Sequence, residues 1–455
     1  MKRYAIYFLA GGLMLAPAFL SAWPQHNVEG EDAFVQRARS FIAALEKGDF
    51  QASVADFDGA MTKALGTEKM AALWKQLTTQ LGPFKKQGGA RRAQLEGYEI
   101  TFITCEFEKD KIEARVVMDS SRRISGLQFV PSGPPPAYAP PKYADPAQFE
   151  ERDVTVGSGE WALPGTLAVP KGAGPFPALV LVHGSGPNDR DETLGPNKAF
   201  KDLAWGLASR GIAVLRYEKR TRQYGPKLTA DKALVAAMTV KEETVDGGLE
   251  AVRRLKAVSG VDPQRIFVLG HSLGGMLFPR IAVAGKDLGI AGFICMAGAT
   301  RPLDETILRQ MTYIYSLDGS LSDDEKKQLD DFRTQIAQIK ALQDSDAGKE
   351  IRIMNASPRY WLDLRGYNPP ELARQVPQPI LVLQGSRDYQ VTIEDFENWK
   401  KMLGARPNVE FRLYEKLNHM FYEGQGFPSP NEYTAIHGSV AEYVVADIAA
   451  FVKKR

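Results

Sequence analysis

The stretch Leu269-Gly270-His271-Ser272-Leu273-Gly274-Gly275 decides the fold. The five residues before the first glycine, Arg265 to Leu269, are apolar apart from the arginine and read as a short buried strand. Residues 273–284 read as an apolar helix. A strand that turns at once into a helix leaves little room beside the turn, so small residues are needed at 270 and 274. Such an elbow lifts Ser272 above the sheet edge and turns the N–H of Leu273 toward an oxyanion at a helix N-terminus. The competing reading is a plain glycine turn. The strand before and the helix after favour a nucleophile.

Outward from this elbow, strands and helices alternate. Residues 153–156 and 163–169 read as a leading hairpin around Gly157-Ser158-Gly159. Residues 178–182, 212–216, 290–296, 379–384 and 409–414 read as further strands, the first of them apolar throughout. Residues 198–209, 240–258, 393–403 and 440–453 read as helices. This alternation predicts an α/β fold with a doubly wound, mostly parallel sheet over residues 149–455. Residues 300–377 interrupt it with roughly eighty residues rich in charge and helix formers. A structureless loop of that length is improbable, so a helical cap over the site is expected.

A serine hydroxyl needs a base. The chain has five histidines: His26, His183, His271, His419 and His437. His419 follows strand 409–414 by a short loop, where a base must emerge to meet the elbow. His437 is expected to begin the final helix as a capping or solvated side chain. The carboxylate that orients the base is expected at Asp388, just beyond strand 379–384, giving the chain order Ser, Asp, His. Glu394 and Asp395 open the next helix and suit its dipole. The second oxyanion donor is expected in His183-Gly184-Ser185-Gly186-Pro187, from Ser185 or its neighbour Gly186, beside the Leu273 amide.

The remaining features bound the function. Formal net charge is +2 over 455 residues, which makes no electrostatic case for nucleic acid. No cysteine or histidine cluster has metal-ligand spacing, and no cofactor is implied. Cys105 and Cys295 fall in different predicted domains and are expected to be buried free thiols. Lys2, Arg3 and the uncharged run 5–16 read as a signal peptide over residues 1–22, with an uncleaved anchor as the alternative. Export without stable membrane insertion is the expectation. Residues 23–130 show helical spacing at Phe34, Ala38, Phe41, Ile42 and Leu45, a second helix at 69–81, then strands at 98–107, 112–118 and 123–130. That order predicts a small α+β domain. Residues 131–148 carry seven prolines and read as a semi-rigid linker.

Together, His183-Gly-Ser-Gly-Pro, Arg216-Tyr-Glu-Lys-Arg220, Gly270-His-Ser-Leu-Gly-Gly275, Gly385-Ser-Arg-Asp388 and Asn418-His419 resemble the α/β-hydrolase superfamily. The likeness is to bacterial esterases akin to dienelactone hydrolases and to the C-terminal domain of acyl-CoA thioesterases and acyltransferases. Dienelactone hydrolases use a cysteine nucleophile, whereas this chain has Ser272. The resemblance therefore implies serine ester hydrolysis of a small-molecule ester. A thioesterase or peptidase on the same machinery, or a non-catalytic binding protein on the scaffold, are the alternatives. The N-terminal segment is similar to a small cystatin- or NTF2-like domain and brings no catalytic residues. Asn188 to Glu192 could line the pocket or form a solvated loop. Arg216, Lys219 and Arg220 could bind an anionic acyl group or pair with that loop. Tyr313, Tyr315, Tyr360, Trp361 and Tyr367 could contact an acyl chain or fill the cap's own core.

Overall fold

Strands that are apolar at every position must be covered on both faces. In the computed structural model, residues Ala178 to Val182 and Ile266 to Leu269 lie fully buried in the middle of an eight-stranded sheet. The structure describes residues 6–8, 26–27, 32–95, 98–132, 138–317, 319, 321, 323–434 and 436–455. Contacts divide the chain into two units, Met1–Ala137 and Tyr138–Arg455.

In the first unit, helices Ala33–Glu46 and Thr67–Leu81, with two short ones between, precede an antiparallel meander. Asp32 starts the first helix, its Oδ1 accepting from the N–H groups of Phe34 and Val35 at 2.9 and 3.0 Å. The helices bury Phe41, Ile42, Leu45, Trp74 and Leu77 against Ile103, Phe107 and Phe129 of the sheet. One long strand, Phe84–Leu95, was not anticipated. Its lysines, arginines and Gly88-Gly89 hide the alternation, and its register shifts between Gln87 and Ala90. Ion pairing replaces apolar patterning there, with Arg91 on Glu113 at 2.6 Å. The predicted signal peptide lies outside the described residues except for Ile6–Phe8, a short strand on Ile124–Pro131.

The second unit holds the large sheet. Its strands are β1 Phe149–Val156, β2 Leu163–Pro170, β3 Phe176–Val182, β4 Ala213–Tyr217, β5 Val261–His271, β6 Gly292–Met296, β7 Ile380–Gly385 and β8 Val409–Tyr414. Their order across the sheet is 1-2-4-3-5-6-7-8. β1 and β2 pair antiparallel, as do β2 and β4, and the other neighbours run parallel. Helices α1 Ala199–Ala208, α2 Asp246–Lys256, α3 Leu273–Ala284, α4 Ile393–Leu403 and α5 Glu442–Lys453 cover it. One apolar core sits on each face. Residues 240–258 are not one helix: a π turn, Lys241–Val245, precedes α2. Three short helices between Arg220 and Ala237 went unread because none is long enough to show a period. His437 does not begin the last helix, which starts at Glu442; it is an exposed loop residue.

Among the described residues, the stretch 300–377 contains the helices Leu303–Tyr315, Asp323–Ala341 and Pro358–Leu364, with the short Pro369–Ala373 after them. Leu303, Tyr360, Leu364 and Tyr367 pack on Leu273, Met276 and Leu277 of α3. Both cysteines are buried and free.

Part of the stretch read as a linker belongs to the second unit. The Tyr143 hydroxyl donates to the Val440 carbonyl at 2.6 Å, and the Tyr138 hydroxyl to Asp202 at 2.7 Å. Prolines disguised these anchors because composition says nothing of where an interspersed tyrosine points. Asp202 also accepts from the Val440 N–H at 3.0 Å. Burial pushes its carboxyl from 3.8 up to about 7, against the pull of these two hydrogen bonds. The folded chain therefore holds this proton over a range where the unfolded chain has released it. The stabilisation is complete below the unfolded value and fades as pH rises toward 7. It amounts to about 4 kcal/mol across that window. Asp202→Asn mimics the protonated acid, its amide donating to Tyr138 and its oxygen accepting from Val440. Urea unfolding of this variant should lose most of the fall in stability between pH 4 and 7. An unchanged slope would place the proton elsewhere.

Candidate active site

The elbow forms as the sequence requires. β5 ends at His271 and α3 begins at Leu273, leaving Ser272 between them at φ 53°, ψ −112°. A non-glycine residue in that region carries about 1–3 kcal/mol of strain, held by the surrounding fold. The Ser272 N–H donates to the Met296 carbonyl at 2.9 Å, and its own carbonyl accepts from the Met276 N–H at 2.8 Å. A methyl group on Gly270 would come 2.1 Å from the Gly274 carbonyl oxygen, and one on Gly274 would come 2.4 Å from that of Val182. Either substitution would push strand and helix apart. Leu273 is the first helical residue, so its N–H is one of those the helix leaves without an internal partner.

Asp388 and His419 meet from the loops after β7 and β8. His419 Nδ1 lies 2.6 Å from Asp388 Oδ2, with both side chains buried. Asp388 Oδ1 accepts from the N–H groups of Gln390 and Val391 at 2.8 and 2.9 Å, and Oδ2 also accepts from Gln384 Nε2 at 3.2 Å. Ringed by donors, the carboxylate can only accept. It thereby fixes the proton of His419 on Nδ1 and leaves Nε2 as the basic atom. No hydrogen bond joins Ser272 Oγ to His419 among the described residues. Such contacts commonly tighten only when substrate is bound. Ser272 is half-buried among buried neighbours.

The segment after β3 lies against the nucleophile: a methyl group on Gly184 would stand 3.1 Å from Ser272 Cβ. Ser185 is exposed at its tip. Asn188 braces this turn, its Nδ2 donating to the carbonyls of Gly184 and Ser185 at 3.2 and 3.0 Å. The Gly184 N–H is consumed by Glu192 Oε1 at 2.7 Å, so the loop's amides for an oxyanion come from Ser185 onward. Lys219, fully buried, donates from Nζ to the Gly184 carbonyl at 2.8 Å and to Glu243 at 2.6 Å.

Several cationic and aromatic candidates have structural partners. Arg216 pairs with Asp191 and Glu151, and Arg220 stacks 5.2 Å over Trp161. Tyr360 and Tyr367 donate to Glu243 and to the Met276 carbonyl at 2.7 and 2.8 Å. Trp361 donates to the Ile353 carbonyl, Tyr315 to Gln328, and Tyr313 to the Pro428 carbonyl. Asp395 accepts from the Thr392 and Thr300 N–H groups, and Glu394 pairs with Arg301. A cleft of about 740 Å³ opens beside the acid loop, lined by Leu308, Tyr313, Arg387, Tyr389 and Pro428 as well as Asp388. Burial pushes His183 down to about 4, so it is neutral. Sequence reasoning gave no role to Glu243 or His271. For His271 the position between Gly270 and the nucleophile was a usable signal. For Glu243 there was none, because its partner Lys219 lies 24 residues away.

Residues 179–433, more than half the chain, match the model of the alpha/beta hydrolase family, and residues 38–127 match that of a family of unknown function, DUF3887. Esterase EstD of Thermotoga maritima is 37% identical over 422 residues, covering 93% of this chain and 96% of that protein. Among solved structures, an esterase of Pyrococcus furiosus is similar with a TM-score of 0.42 and 17% identity, over 70% of this chain and 96% of that one. Est1E from Butyrivibrio proteoclasticus has a TM-score of 0.41 and 15% identity, over 67% and 99%. The sheet order, the strained serine elbow and the match over most of its second unit agree, and the chain belongs to the alpha/beta hydrolase family.

Proposed function

We propose that this protein, a carboxylic ester hydrolase, works through an acyl-enzyme on Ser272. The pairing of Asp388 with His419 at 2.6 Å carries the reading. It is supported by the relative named an esterase, which matches nearly the whole chain. His419 Nε2 takes the Ser272 proton as Oγ attacks the acyl carbon. The amides of Leu273 and Ser185 hold the oxyanion. His419 then protonates the departing alcohol, and water activated by the same nitrogen releases the acid. The helical insertion shapes the acyl pocket, a role supported by its packing on α3. Export follows from the basic start and uncharged run of residues 2–16. The mature protein should hydrolyse p-nitrophenyl esters of graded chain length while leaving peptide anilides intact. Faster cleavage of anilides or of acyl thioesters than of esters would redirect the assignment.

A further inference from the structure

Besides Asp388 and His419, the site contains a second buried acid–imidazole pair. Glu192 Oε2 lies 2.8 Å from His271 Nδ1, and His271 Nε2 lies 3.0 Å from the carbonyl oxygen of His419. The other Glu192 oxygen receives the Gly184 N–H at 2.7 Å. Glu192, His271 and His419 are 3–4% exposed, so water does not substitute for these contacts. Glu192 is held at φ 50°, a conformation a non-glycine residue keeps only where its surroundings fix it.

We propose that Glu192 and His271 are positioning residues whose bridge ties the oxyanion loop to the loop carrying the base, across the nucleophile. This rests on the hydrolase reading of Ser272 and His419 and gives the charged loop 188–192 a role in it. The chemistry is specific. The His419 carbonyl can only accept, so His271 Nε2 donates. A carboxylate 2.8 Å from Nδ1 favours a proton on that nitrogen as well, and so favours the charged ring. The Nδ1 contact lies off the ring's donor direction and acts as an ion pair more than an aligned hydrogen bond. Burial opposes charge on His271, but Glu192, the His419 carbonyl and Asp388 outweigh it and raise its proton affinity. Burial likewise opposes charge on Glu192, and His271 with the Gly184 N–H holds it low. The bridge fixes two distances at once: that of the Ser185 amide from the acyl oxygen, and that of the imidazole from Ser272.

Glu192→Gln separates bridging from mere filling. Its oxygen still accepts from Gly184 and its volume is unchanged, but the charge that holds His271 is gone, so the ion-paired half of the bridge is lost. Glu192→Ala breaks both halves. On a p-nitrophenyl ester, Glu192→Ala should lose on the order of 10²-fold in kcat with KM nearly unchanged, the effect of misplacing groups by about 1 Å. Glu192→Gln, which keeps only the Gly184 contact and the side-chain volume, should recover only part of that loss. Wild-type kcat in Glu192→Ala would overturn the proposal. So would a folded Glu192→Gln with wild-type kcat, since filling the space would then suffice. If Glu192→Ala fails to fold, His271→Phe reads the bridge from its other end, with the same expected loss in kcat. An imidazole ¹⁵N NMR titration tests the pair independently of turnover: His271 should release its proton at lower pH in Glu192→Gln than in wild type. An unchanged titration would overturn the bridge, whereas activity surviving in Ser272→Ala would count against the hydrolase reading alone.

Discussion

Ser272→Ala should lose on the order of 10⁶-fold in kcat, leaving only what oxyanion amides and substrate binding supply. The fold should be untouched. Alanine tolerates φ 53° no worse than serine, and the backbone bonds to Met296 and Met276 involve no side-chain atom. Thermal unfolding of the variant should therefore match wild type. Matched stability with lost turnover would separate a chemical role from a structural one. Turnover within tenfold of wild type would remove Ser272 from the mechanism.

Asp388→Asn should cost on the order of 10⁴-fold in kcat, through the tautomer of His419 rather than through charge alone. Every group around this carboxylate donates to it: two backbone N–H groups, Gln384 and His419 Nδ1. An asparagine keeps one oxygen for the two backbone donors and turns its amide toward the ring. The amide is a donor, so Nδ1 must accept and the proton moves to Nε2, where it blocks the uptake of the serine proton. KM should change little, since Asp388 faces the base and not the acyl carbon. A variant within tenfold of wild type would mean that Asp388 is not the orienting acid.

The sheet was legible because its central strands are apolar runs and its nucleophile turn needs glycines, both properties of adjacent residues. The order Ser272, Asp388, His419 was legible for the same reason: each follows a recognisable strand. What escaped the sequence depends on residues far apart along the chain. Lys219 and Glu243 are unremarkable charges until folding buries them together behind Gly184. Glu192 looks like one acid in a charged loop, yet it is buried against His271. The strand Phe84–Leu95 hid its period in charges that pair across the sheet. Tyr138 and Tyr143 hid among prolines. The fold and the nucleophile's position are written locally, whereas the support behind them is written in contacts between elements.

Fluorophosphonate labelling of the wild-type protein, followed by mass-spectrometric mapping, tests the central claim most directly. An activated serine attacks the phosphorus, and the adduct marks the atom that does so. One adduct per chain should appear, on Ser272 within the tryptic peptide 266–280, and His419→Ala should slow its formation severely. Labelling at another serine, or an active protein that takes up no label, would contradict the assignment of Ser272 as nucleophile.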